Sequence, residues 1–165
     1  VIFRSDHGLA IGSHGLRGKQ NMYEHTIGVP LIVAGPGIAA GRRTAAQCYL
    51  RDLFPTVCDL ANVAIPAGVE GKSLKPVLDG TATQVYPHVI AYFRDSQRMI
   101  REGDWKLIAY PQARREQLFH LKTDPLEQKN LISEKTHADI VENLRKHLLV
   151  WQQAHNDPLL RVKDR

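Results

Sequence analysis

Asp6 and His7 stand side by side where a short apolar run, Val1-Ile2-Phe3, turns polar. Lys19 and the triplet Tyr23-Glu24-His25 follow before a second apolar run opens at Val29-Pro30-Leu31. An adjacent Asp and His offer one carboxylate oxygen and one imidazole nitrogen, a pair that suits a divalent metal. The run before Arg4 is β-branched and too short for a helix, so it reads as a buried strand. The whole stretch reads as strand, long polar loop, strand. In open α/β sheets ligands sit just beyond the carboxyl ends of the strands, and Asp6 and His7 fall at such an end. Gly8 relaxes the backbone around them.

The elements around this stretch follow from pattern. Leu31 to Ala34 is the second strand, and Gly35-Pro36-Gly37 breaks it. Residues 45–50 predict a further strand. Asp52 reads as the N-cap of an amphipathic helix over residues 53–62, with Pro55 in its permissive first turn and Phe54, Val57, Cys58 and Ala61 at helical spacing. A glycine-rich turn from Ile65 to Leu74 feeds a short helix over 74–78, and its role is structural. Beyond residue 86, short strands are predicted over 88–93, 97–101, 105–110 and 117–121. Glu102-Gly103-Asp104 and Lys122-Thr123-Asp124-Pro125 supply turns. Thr136-x-x-Asp139 reads as a capping box that opens a helix with Ile140, Leu144, Leu148 and Trp151 on one face. The expected organisation is an α/β portion over residues 1–84 and a small α+β lobe, an antiparallel sheet backed by a helix, over 85–165.

Composition narrows the function classes. At 165 residues and 43% hydrophobic the chain can bury a sizeable core. The net charge of +5 comes from dispersed basic residues without a nucleic-acid-binding motif, so nucleic acid is not an expected partner. No apolar run is long enough to span a membrane. The two cysteines, Cys48 and Cys58, have no metal-ligand spacing.

Four clusters share one order with a known family: Ser5-Asp6-His7-Gly8, His14-Gly15-Leu16-Arg17-Gly18-Lys19, Tyr23-Glu24, and Gly28-Val29-Pro30-Leu31-Ile32. Further on stand Asp52-Leu53-Phe54-Pro55-Thr56, Trp105-Lys106-Leu107-Ile108, Leu118-Phe119-His120-Leu121 and Asp124-Pro125-Leu126-Glu127-Gln128-Lys129-Asn130-Leu131. This array closely resembles the sulfatases of the alkaline-phosphatase superfamily, in their C-terminal part. The resemblance implies an α/β core with a small C-terminal α+β lobe and hydrolysis of sulfate esters. Asp6 and His7 would be metal ligands, with Ca²⁺ implied first. Many sulfatases carry Asn where His7 stands, and a nitrogen ligand keeps Mn²⁺ and Zn²⁺ in view. Lys19 would contact the sulfate group, and His14 would bind substrate or assist the leaving group. Arg17 and His25 would line the substrate pocket. Tyr23 and Glu24 would brace the loop.

Sulfatases of this type attack sulfur with a formylglycine made from Cys or Ser in a Cys/Ser-x-Pro-x-Arg motif. Neither Cys48 nor Cys58 lies in one. The nucleophile is therefore expected in an N-terminal part of the intact protein, and residues 1–165 alone are expected to be inactive. The implied partners are a sulfate ester, carbohydrate or small molecule, and the remainder of the protein's own chain. The resemblance favours a periplasmic or secreted location. Two other readings stay open: a phosphoester or phosphonate hydrolase of the same superfamily, and a non-catalytic remnant.

Overall fold

The computed structural model describes residues 1–160. In chain order its strands and α-helices are β1 (Ile2–Arg4), β2 (Ala10–Ile11), β3 (Arg17–Gly18), α1 (Glu24–Ile27), β4 (Leu31–Val33), α2 (Leu53–Leu60), α3 (Lys75–Leu78), β5 (Val89–Phe93), β6 (Gln97–Glu102), β7 (Trp105–Tyr110), β8 (Arg115–His120) and α4 (Ala138–Ala154). Two compact units emerge. One comprises residues 1–6 and 30–89, the other residues 7–29 and the described residues from 90 on.

In the first unit β1 and β4 pair antiparallel, Phe3 opposite Ile32. The centre of this unit is polar. Asp52 is fully buried and accepts three hydrogen bonds, from the Tyr49 N–H at 2.6 Å, the Lys72 N–H at 2.9 Å and the Tyr86 hydroxyl at 2.7 Å. Burial and the bond to Asp52 push the Tyr86 hydroxyl up to about 12. Thr56 donates to the Asp52 carbonyl at 2.6 Å and accepts from the Leu74 N–H at 2.8 Å. A side chain at Gly71 would collide with the Arg51 carbonyl. Asp52-x-x-x-Thr56 and Gly71-x-x-Leu74 thus form one staple.

Three expectations change here. Residues 45–50 form no strand, because Asp52 takes the Tyr49 N–H and turns the chain into a 3₁₀ turn at Leu50–Asp52. The Asp52 side chain does not cap α2; its oxygens are spent on Tyr49, Lys72 and Tyr86. The buried side of α2 carries Pro55, Thr56 and Cys58, whereas Phe54 and Val57 are 54% and 48% exposed. The polar staple, not the apolar stripe, sets which face turns inward.

In the second unit the strands lie in the order β5-β6-β7-β8. β6/β7 and β7/β8 pair antiparallel, Ile100 opposite Leu107 and Leu107 opposite Leu118. Side chains alternate between faces along each strand. Ile100, Leu107 and Leu118 pack with Val141, Leu144 and Leu148 of α4. Their neighbours Met99, Ile108 and Phe119 point the other way and pack with Met22 and Tyr23. Both faces are covered, one by α4 and one by the polar loop, which accounts for the adjacent apolar pairs Met99-Ile100, Leu107-Ile108 and Leu118-Phe119 at the centre of β6, β7 and β8. The predicted capping box is absent. A 3₁₀ turn at Lys135–His137 leads into α4, His137 is the N-cap, and no side chain caps it. The turn's backbone takes up the His137 N–H on the Glu134 carbonyl at 3.0 Å and the Ala138 N–H on the Lys135 carbonyl.

Candidate functional site

The loop of residues 7–29 is built around a small hairpin. β2 and β3 pair antiparallel, Ala10 opposite Gly18 and Ile11 opposite Arg17. The turn between them needs left-handed backbone at Gly12 (φ 94), His14 (φ 56) and Gly15 (φ 69). His14 has a Cβ, and this conformation costs on the order of 1 kcal/mol or more for such a residue. Its ring has specific partners that hold it there. The His14 imidazole stacks on Tyr23 with centroids 3.9 Å apart and an interplanar angle of 9°. Its Nε2 lies 3.0 Å from the Glu127 carbonyl oxygen.

Lys19 follows β3 and is exposed. Its Nζ is 2.8 Å from His7 Nε2, while His7 Nδ1 faces the Gly8 carbonyl at 3.0 Å. A carbonyl only accepts, so Nδ1 carries the proton and Nε2 presents a lone pair to the ammonium. Asp6, the preceding residue, is exposed. Arg17 is exposed on β3. His25 lies against both other rings, 5.5 Å from His14 and 5.6 Å from Tyr23. Its Nε2 is buried without a hydrogen-bond partner among the described residues. Burial first, and the neighbouring His14 second, push its pKa below the ordinary imidazole value, so His25 is neutral at pH 7.

Gly8 has a different reason from the expected one. Its φ is not in the left-handed region. Its N–H donates to the Thr26 carbonyl at 2.8 Å, and a Cβ would collide with the His25 carbonyl oxygen. Close backbone approach is what requires glycine. Gly8→Ala is expected to cost about 1–3 kcal/mol, read as a lowered thermal midpoint of the intact protein.

Tyr23 and Glu24 are anchored to the sheet. The Tyr23 hydroxyl donates to Gln117 Oε1 at 2.9 Å, and the Tyr110 hydroxyl donates to the same oxygen at 3.0 Å. Burial first, and Tyr23 second, hold the Tyr110 hydroxyl well above the usual tyrosine range. Glu24 pairs with Arg101 at 3.0 Å and with Lys106 at 3.0 Å. Lys106 is fully buried and also pairs with Glu127 at 2.7 Å. Glu127 Oε2 in turn accepts the Glu24 N–H at 2.6 Å. Lys106 and Glu127 carried no assigned role in the sequence. The available signal was a lysine in the middle of an apolar strand, which demands a buried anionic partner. Of the remaining histidines, His147 lies 2.7 Å from Glu102 and His120 2.9 Å from Thr123.

Comparison with known proteins is consistent along the chain. Residues 12–154 match the family model described as N-sulphoglucosamine sulphohydrolase, C-terminal. A Delta 4,5-hexuronate-2-O-sulfatase of Bacteroides thetaiotaomicron is 32% identical over 99% of the chain and 35% of its own length. Arylsulfatase K of Mus musculus is 35% identical over 93% of the chain and 34% of its own length. The chain therefore spans about a third of the length of the curated relatives it matches. Among solved structures, a 2-O GAG sulfatase superposes with a TM-score of 0.84 at 31% identity, covering 99% of this chain and 38% of the other. A second, solved with its substrate D-glucosamine-2-N,6-O-disulfate, gives a TM-score of 0.82 at 30% identity over 95% and 35%. A phosphonate monoester hydrolase of Agrobacterium radiobacter gives 0.75 at 25% identity over 93% and 35%. The fold is that of the alkaline-phosphatase-like sulfatases, and the chain belongs to the sulfatase family, in the portion described as N-sulphoglucosamine sulphohydrolase, C-terminal.

Proposed function

We propose that the intact protein hydrolyses sulfate esters, with a carbohydrate sulfate as the substrate class. Similarity to a hexuronate-2-O-sulfatase and to a sulfatase solved with a disulfated glucosamine supports that class. The observation that carries the reading is the Lys19–His7 pair at 2.8 Å. A nitrogen of metal-ligand type and an ammonium stand one hydrogen bond apart, so an anion set between a cation and Lys19 would be held from both sides.

The donor set fits a divalent ion. His7 Nδ1–H is fixed by a carbonyl, the arrangement that leaves Nε2 for a metal, and Asp6, its neighbour in sequence, would supply a carboxylate. Calcium is the proposed ion, with manganese or zinc compatible with the imidazole. Bound there, the ion would polarise the sulfate oxygens. Nε2 can serve Lys19 or a metal but not both, so occupancy would free the ammonium for the sulfate. Lys19 then neutralises charge on the sulfate oxygens. His14 donates the proton that the departing alcohol oxygen needs. Arg17 and His25 border the substrate. The nucleophile is a formylglycine supplied outside this chain, which has no Cys/Ser-x-Pro-x-Arg sequence.

Asp6→Ala in the intact protein is expected to lower bound metal below one equivalent and to reduce kcat/KM roughly 100-fold or more. Full metal content with unchanged turnover would refute the assignment. A peptide map of the intact protein is expected to show an aldehyde-bearing Cys/Ser-x-Pro-x-Arg peptide.

A second reading, a phosphonate monoester hydrolase, is favoured by the likeness to the Agrobacterium radiobacter enzyme. The same Asp6, His7 and Lys19 would serve it. Relative rates on sulfate and phosphonate esters separate the two.

A further inference from the structure

We propose that Glu127 and Lys106 are positioning residues that fix which nitrogen of His14 carries the proton, and so which nitrogen faces the substrate. This rests on the sulfate-ester reading for its kinetic consequence but not for its structural one.

The His14 ring is held on two sides. Tyr23 covers one face at 3.9 Å. The Glu127 carbonyl meets Nε2 at 3.0 Å. Because a carbonyl cannot donate, Nε2 carries the hydrogen in the neutral ring, and Nδ1 holds the lone pair. A proton passed to a leaving oxygen then departs from Nδ1 of the imidazolium. The lone pair returns to Nδ1, while Nε2–H stays on the carbonyl.

The carbonyl must stay where it is for this to work. Glu127 is 2% exposed and adopts a left-handed conformation at φ 54. Such backbone persists only where its surroundings impose it. Here the imposing group is Lys106. Its ammonium sits between two carboxylates, 2.7 Å from Glu127 and 3.0 Å from Glu24. Glu24 directly follows Tyr23, so the same lysine anchors both holders of the ring, the carbonyl at its edge and the phenol at its face. Take away the ammonium and the buried Glu127 carboxylate is left beside the half-buried Glu24 carboxylate, both having faced the same nitrogen. Like charges that close repel, and the outcome is displacement of Glu127 or uptake of a proton. Arg101 compensates Glu24 alone.

The test uses the intact protein carrying isotope-labelled histidine, with NMR of the ring nitrogens and steady-state turnover of a sulfate ester. In the wild type His14 is expected as the Nε2–H tautomer. Lys106→Met is expected to give a mixture of tautomers and to lower kcat roughly 10- to 100-fold with KM changed by less than about 3-fold. The double variant Lys106→Met/Glu127→Gln removes one of the opposed charges and is expected to restore the tautomer and much of kcat. A wild-type His14 protonated on Nδ1 overturns the proposal without any variant having to fold. So does a Lys106→Met protein with reduced kcat and an unchanged His14 tautomer. If the wild type shows the Nε2–H tautomer but releases no sulfate, the sulfatase reading fails and the positioning stands.

Discussion

Replacing Lys19 by methionine in the intact protein is expected to lower kcat/KM for a sulfate ester roughly 10²- to 10³-fold, the usual loss when one preorganised charge-stabilising group is removed. Methionine keeps the length and most of the apolar stem of the side chain, so the change isolates the ammonium. Lys19 is exposed and its removal leaves no buried charge, so stability is expected to move by less than about 0.5 kcal/mol. The loss should fall mainly on kcat, because charge on the departing oxygen grows towards the transition state. A second consequence follows from the 2.8 Å contact with His7. Without the ammonium competing for Nε2, metal affinity is expected to rise. Equilibrium dialysis against calcium and manganese reads this independently of turnover.

Arg98→Met is expected to cost about 3–5 kcal/mol of stability, measured by denaturant unfolding of the intact protein. Arg98 and Asp157 are 3% and 4% exposed. They form a two-armed pair, Nε to Oδ2 and Nη2 to Oδ1, each at 2.7 Å. Nη1 is spent on the Arg94 carbonyl at 2.6 Å and the Gln97 carbonyl at 2.8 Å. Gln152 and the Leu159 N–H complete the carboxylate at 2.9 and 3.1 Å. Truncating the arginine leaves a buried, uncompensated anion. The pair also has a pH signature. The Arg98 guanidinium holds the Asp157 carboxyl at about 2. A depressed carboxyl contributes stability above its unfolded value of about 4 and loses it as pH falls through 2. That contribution is on the order of 2 kcal/mol. The wild type is therefore expected to lose part of its advantage over Arg98→Met as pH falls, beginning where the uncompensated Asp157 of the variant takes up a proton, above the ordinary carboxyl value, and ending near about pH 2.

Local pattern carried the elements whose determinants are local. β7 is legible to the residue, because Gly103 fixes the turn before it and Trp105, Leu107, Ile108 and Tyr110 mark the strand despite Lys106. α4 is legible in its face, since Leu144 and Leu148 recur at the helical period. What was hidden depends on distant partners. Residues 45–50 look like a strand until Asp52 claims the Tyr49 N–H. The stripe Phe54–Val57 looks like a core face until Thr56 is tied to Leu74. In the site, the residues of the loop were legible by type and order. Their support was not, because Glu24 meets Lys106 and Glu127 across separations of 82 and 103 residues. Nothing in the spacing of a single sequence announces such a triad. The lysine buried in β7 and the left-handed Glu127 make sense only as the far side of the loop.

The most direct measurement is turnover by the intact, metal-loaded protein on an aryl sulfate and an aryl phosphonate monoester, side by side. The expected result is sulfate release with kcat/KM at least roughly 10-fold above that for the phosphonate, a difference of about 1.4 kcal/mol in transition-state stabilisation. Preference for the phosphonate, or sulfate release no faster than in buffer, would contradict it.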